Sequence, residues 1–186
     1  MLALQNTFGQ GKKLRYLCLD ETRLGLKTET GRVITACGVK PIAAVQWQRD
    51  NYWIYGAVEP LSGWQFTQEY PHLNSNHFQA FLDALSIELG EDIAIIQLDR
   101  AKAHQALSLH WHENLIPVFQ PAHCPQLNPI ERLWQFLKAQ LHGDSFQTLN
   151  YLKIRVRYLL KELMPKQVAS LTSYNFILEA LFYAAF

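Results

Sequence analysis

Cysteine is scarce in this sequence. Cys18, Cys37 and Cys124 are odd in number, widely spaced and without a CxxC pair, which suggests neither a disulfide framework nor a zinc knuckle. Surplus charge is missing too. With 17 Lys and Arg against 16 Asp and Glu, the formal net charge is +1. The strongly basic balance of a general nucleic-acid binder is therefore absent, although a neutral total can hide a polarised surface. No apolar run approaches the roughly 18 residues that a membrane helix needs. The opening MLALQNTFGQGKK lacks the apolar stretch of a signal peptide. Together these absences read as a soluble protein of a reducing, cytoplasmic compartment. What is present is a core: 49% of the 186 residues are hydrophobic and 12% aromatic, the balance of one folded domain rather than of a disordered chain.

The hydrophobic pattern divides the chain. LRYLCLD (14–20) and IAIIQLD (93–99) are short, nearly continuous apolar runs that each end on an acid, as strands buried on both faces do. Further strands are expected at 24–29, 32–37, 53–58, 64–70 and 115–119, with turn chemistry at 59–63. Phe78, Phe81, Leu82, Leu85 and Leu89 recur at helical spacing behind Asn74 or Ser75 as N-cap. A short helix near 103–113 should follow, carrying His110 and His112 as surface residues. A Pro-rich loop at 120–129 then leads into an amphipathic helix on Ile130, Leu133, Trp134, Leu137 and Leu141. Trp134 reads there as a core residue. Two last helices are expected at about 149–163 and 174–184, with the apolar FILEALFYAAF end packing on the sheet or forming an oligomer contact. This order of elements describes an α/β fold with a hairpin start.

Asp20 and Asp99 are the first chemical signal. In open α/β sheets, functional groups gather at the carboxyl ends of strands, and an Asp there can face a crevice. Each also suits the turn after a strand. Glu131 is the third acid. Asn128, Pro129 and Glu131 have the spacing of an N-cap, first helical residue and capping-box acid, but the same position projects a carboxylate from the first turn. Three such groups converging from two strands and a helix offer the hard oxygen donors that Mg²⁺ prefers.

Three stretches resemble the catalytic blocks of the DDE-superfamily endonuclease domain, and most closely those of bacterial insertion-sequence transposases related to mariner elements. The first is LCLDETRLGLKTETGR (17–32), with Asp20-Glu21-Thr22 and the Gly31-Arg32 step; the second is IIQLDRAKAH (95–104), with His104 five residues after Asp99. The third, Pro125 through Trp134, matches a Pro-x-Leu-Asn-Pro-Ile-Glu-x-x-Trp run. The second block departs from the pattern, with Arg100 where the family usually has Asn. The 31 residues between Asp99 and Glu131 are also slightly fewer than usual, a shortening that falls in 103–114.

The resemblance implies an RNase H-like fold, a mixed central sheet with flanking helices. It also implies a catalytic domain over 14–145, a lead-in at 1–13, and C-terminal helices (146–186) on the same domain. Its activity would be cut-and-paste transposition. Asp20, Asp99 and Glu131 would hold two Mg²⁺ (or Mn²⁺) ions for cleavage at the element's ends, followed by strand transfer into target DNA, usually at TA. The partners implied are terminal inverted repeats, a separately encoded helix-turn-helix domain, and a second copy forming a homodimer on DNA in the prokaryotic nucleoid. A regulatory subunit or inactive remnant that keeps the fold is the alternative. A resolvase-like nuclease on the same fold is a third reading, against which LNPIERLW speaks. His104, Arg100, Lys102 and Asn128 are candidates for supporting the site or touching DNA, as are Arg132, Lys138, Lys153, Arg157 and Lys161. The last Lys153, Arg157 and Lys161 share one helical face by their i, i+4, i+8 spacing. Glu21, pointing to the face opposite Asp20, is expected to be structural or an ion-pair partner.

Overall fold

Hydrophobic residues alternate between two layers along the first strand, and that alternation organises the molecule. The computed structural model describes residues 11–27, 36–40, 48–122, 124–177 and 179. Strand β1 (Leu14–Gly25) sends Cys18 and Leu24 into one apolar cluster and Leu17 and Leu19 into the other. Period-two geometry makes this split, and coverage on both faces explains the near-continuous apolar run. β2 (Asn51–Glu59) divides likewise, with Ile54 and Val58 on the first side and Tyr55 and Ala57 on the second.

β3 (Trp64–Tyr70) completes an antiparallel meander with β1 and β2. β4 (Ile93–Leu98) and β5 (Leu115–Phe119) add in parallel on the other side of β1, giving the order β3-β2-β1-β4-β5. Pro117 lies in the edge strand β5, where a missing N–H is tolerated and discourages further pairing. This mixed sheet with flanking helices has the RNase H-like architecture expected.

Helix α1 (Ser75–Leu89) covers one face through Phe78, Phe81, Leu82, Leu85 and Leu89, and its N-cap Asn74 accepts from the His77 N–H. Helices α2 (Ile130–Gln140), α3 (Leu149–Glu162) and α4 (Pro165–Thr172) cover the other, contributing Trp134, Leu137, Leu152, Val156 and Val168 to one cluster. Gly63, at φ +72, closes the β2–β3 turn so tightly against α4 that an added Cβ would lie 1.7 Å from the Pro165 carbonyl oxygen. No described helix is long and apolar enough to cross a membrane.

Several expectations change. β1 runs unbroken through Gly25, so 24–29 does not start a separate strand, and Asp20 lies within a strand rather than at its end. The strand at 32–37 lies almost wholly outside the described residues. Segment 103–113 is not a helix; it is a series of tight turns closed by Ala101 O–His104 N and Ala106 O–Leu109 N bonds. Leu109 and Trp111 pack separately against the α1-side cluster, while Leu107 is fully exposed, so no continuous apolar face rewards a helix there. His110 and His112 therefore sit on irregular backbone between turns, His112 bonded to Asp83 at 2.7 Å. α4 was not anticipated, and most of the helix expected at 174–184, with its apolar end, lies outside the described residues.

Candidate active site

Strand register brings the first two acids together. The parallel β1–β4 ladder runs to Cys18 opposite Gln97, so Asp20 and Asp99 each stand two residues beyond the last pair. β1 continues past this point only by pairing with β2, which sets Asp20 opposite Gly56. Asp99 follows β4 directly and turns its Oδ1 onto the Ala101 N–H at 2.9 Å.

The third acid arrives on a loop tied to the sheet at three points. The Gln120 N–H donates to the Leu98 carbonyl at 2.9 Å. Gln97 Nε2 donates to the Leu127 carbonyl at 2.8 Å and to Gln120 Oε1 at 3.1 Å. Asn128 Nδ2 donates to the Leu19 carbonyl at 2.9 Å. Asn128 is thus not the N-cap that its spacing implied: Pro129 occupies that position, without a side-chain cap bond. The amide is buried and spent on β1 because the loop crosses the carboxyl end of the sheet. Glu131 loses its capping-box explanation with it.

Asp20, Asp99, Asn128 and Glu131 line one cavity of about 410 Å³, with Arg100 and Gln120 at its walls. The Oδ1 of Asn128 is buried there and accepts no hydrogen bond. Three carboxylates and an unsatisfied amide oxygen are hard donors of the kind that divalent ions take, so this residue set fits such an ion. Among the described residues, no group of three or more His, Cys, Asp or Glu is already drawn into ligating geometry. Asp20 Oδ2 accepts from Trp134 Nε1 at 2.9 Å, and Asp99 Oδ1 pairs with His104 Nδ1 at 2.7 Å.

Electrostatics differ sharply across the cavity. Burial, followed by the charges of Glu21, Glu131 and Asp99, pushes the Asp20 carboxyl well above the usual range. Burial also raises Glu131, with Lys138 opposing and Asp99 adding. Asp99 moves down, chiefly through its hydrogen bond from His104. His104 is clamped, its Nε2 lying 3.1 Å from both oxygens of Glu21. Burial disfavours its charge, but hydrogen bonds and charges from Asp99 and Glu21 outweigh that and raise it to about 10. The ring also packs at 4.4 Å on Phe78. His104 is consequently a buried cation between two carboxylates rather than a residue that reaches DNA, and Glu21 is its partner on the α1 side.

The basic candidates fall into two groups. Arg100, Lys102, Arg132 and Lys138 are exposed, and Arg132 stacks over Tyr174. Lys153 and Arg157 instead converge on Glu69 of β3, Arg157 through two bonds of 2.7 and 2.8 Å and Lys153 at 3.6 Å. Their shared helical face is real, and it runs alongside the edge of the sheet at Glu69, with Arg157 still 62% exposed. Lys161 lies beside Arg157 along the same groove. The role of Trp134 toward Asp20 escaped sequence reading; the one available signal was Gly56, a glycine in a strand interior, which marks a close approach.

Comparison with known proteins is consistent across sequence and shape. The family model described as "DDE superfamily endonuclease" matches residues 15–153. A protein of Sinorhizobium fredii (strain NBRC 101917 / NGR234), "Uncharacterized protein y4pE/y4sA", is 30% identical over 87 residues, 46% of this chain and 64% of that one. Among solved structures, the "Mos1 transposase paired-end complex with left transposon end" superposes with TM-score 0.68 at 14% identity, covering 91% of this chain and 54% of that chain. The "Mos1 mariner paired end complex with Mn" does so with TM-score 0.62 at 16% identity, covering 92% and 60%. The chain thus spans a little over half the length of these Mos1 chains, and under two-thirds of the Sinorhizobium relative.

Proposed function

The chain belongs to the DDE superfamily endonuclease family, and from that premise we propose that it is the catalytic domain of a cut-and-paste DNA transposase. The observation that carries the reading is the convergence of Asp20, Asp99 and Glu131 on one cavity, from two strands and a helix far apart in sequence. The Mos1 complexes that share its fold hold a transposon end in one case and Mn or Mg in others. They support DNA as substrate and a divalent metal as cofactor.

In this reading Asp20, Asp99 and Glu131 hold Mg²⁺ or Mn²⁺, with the buried Oδ1 of Asn128 nearby. Two such ions, when bound, supply positive charge to the attacking and leaving oxygens of a phosphodiester displacement. The protein's part is positioning. The three-point tether of the 120–129 loop fixes Glu131 against the strand carboxylates, and His104 with Glu21 fixes Asp99. Such preorganisation matters because phosphoryl transfer needs placement and charge neutralisation more than covalent help from the enzyme. Arg100 at the cavity wall and the exposed Lys102, Arg132 and Lys138 are the proposed phosphate contacts, whose binding weakens with salt. Lys153 and Arg157, which share Glu69 as a partner, are the weaker candidates. A helix-turn-helix module encoded separately, acting with two copies of this chain on paired element ends, completes the proposal.

The test is metal-dependent nicking of DNA bearing the element's ends, with Asp20→Asn, Asp99→Asn and Glu131→Gln compared with the unaltered chain. Each variant is expected to lose activity. Nicking at the unaltered rate by all three would remove the proposed site.

A further inference from the structure

Trp134 reaches into the carboxylate site from the core. Its ring is 1% exposed, and its Nε1 donates to Asp20 Oδ2 at 2.9 Å. A buried indole N–H needs some acceptor, which alone would make this bond unremarkable. The sheet shows more than that. Gly56, the residue paired with Asp20 across β1 and β2, is where the ring lies. A Cβ at position 56 would stand 2.5 Å and 2.8 Å from two ring carbons of Trp134 and 3.1 Å from Ile130 Cδ1. A strand interior gives up its side chain here, at a cost in backbone entropy, and the indole takes that space beside Asp20.

We propose that Trp134 is a positioning residue for Asp20: through the opening left by Gly56, its N–H fixes the orientation of the carboxylate that receives the metal. The inference rests on the reading of Asp20 as a metal-binding group. A carboxylate free to turn about its Cβ–Cγ bond would have to be ordered on binding, whereas one held by an N–H donor is ordered beforehand. Hydrogen-bonded partners of ligands commonly change metal affinity about 10–100-fold. Ile130 and Trp134 come from the same helix as Glu131, so α2 delivers one carboxylate itself and orients another.

Trp134→Phe keeps an aromatic ring and removes the N–H. The decisive measurement is Mn²⁺ binding to the purified chain by titration calorimetry, without DNA, beside thermal melting. The expected result is a roughly tenfold or greater loss of Mn²⁺ affinity in a variant that still melts cooperatively. Unchanged affinity in the folded variant overturns the proposal. Asp20→Asn is run alongside: if it too binds Mn²⁺ as the unaltered chain does, the reading of Asp20 fails rather than the role of Trp134. Should Trp134→Phe not fold, the indole N–H resonance of Trp134 in the unaltered chain decides. It should move on Mg²⁺ addition and stay still in Asp20→Asn; a resonance indifferent to Mg²⁺ in the unaltered chain overturns the inference.

Discussion

Asp20 and Asp99 occupy equivalent positions past the same parallel ladder, yet their surroundings are opposite. Asp99 has a buried imidazolium against it and is held below the ordinary carboxylate range. Asp20 has a neutral indole donor, burial and three neighbouring carboxylates, and is pushed well above that range. The side chains follow strand alternation: Glu21 and His104 lie on the α1 side, and Asp20 and Trp134 on the α2 side. One carboxylate is satisfied by the protein itself. The other is a charge deficit built into the fold, and it is where an added cation gains most.

The largest expected effect removes the contrast altogether. Asp20→Asn and Asp99→Asn should each reduce metal-dependent nicking by at least about a hundredfold, measured on DNA carrying the element's ends; equal activity would mean that neither acid serves the reaction. Next in size is His104→Leu. It strands Glu21, whose side chain is only 4% exposed, and breaking a buried pair in this way costs about 3–5 kcal/mol. Chemical denaturation should show it, and a loss below about 1 kcal/mol would show that the clamp is not structural.

The sharpest test separates the two acids by stability in the presence of a chelator at pH 7. Asp20, raised in the folded chain, contributes stability that is present below its unfolded value of 3.8 and lost as pH rises through the folded one. At neutral pH it is therefore a burden, and Asp20→Asn should raise Tm by about 2–4 °C, the equivalent of roughly 1 kcal/mol at this size. Asp99, lowered when folded, contributes stability above 3.8 that is lost as pH falls. Asp99→Asn should lower Tm, by less than that, because its carboxylate is 45% exposed and solvent screens its pairing with His104. Shifts of the same sign would erase the comparison.

The smallest effect is the pH profile. His104 is raised from 6.5 to about 10, so its stabilisation is fully present below 6.5 and lost as pH climbs through about 10. Melting in chelator between pH 6 and 10 should show a decline that is shallower in His104→Gln.

Much of the sheet was readable because its strands are short apolar runs with clear turns. β3, β5 and the Asn74 cap of α1 fall where hydrophobic pattern and turn chemistry place them. The three acids that line one cavity were singled out by the apolar runs before Asp20 and Asp99 and by the LNPIERLW block, although Asp20 proves to lie inside β1. What failed did so for one physical reason: residues bound for distant partners resemble local signals. Asn128 has the spacing of a cap, but its amide goes to Leu19. Segment 103–113 has helix-forming composition, but His104, Leu109 and Trp111 are each drawn to different parts of the core. Lys153 and Arg157 form a basic stripe by spacing, and only the position of Glu69 on β3 reveals what the stripe faces.

The tethers on the 120–129 loop have a consequence for how such chains can vary. Glu131 takes its position from bonds to Leu98, Gln97 and Leu19, and not from the length of chain that precedes the loop. Residues 105–108 lie outside that scaffold, carrying the fully exposed Leu107. Insertions or deletions there should change the separation of Asp99 and Glu131 in sequence while leaving it nearly constant in space. The same turn is a natural place to graft a tag or a fluorescent label.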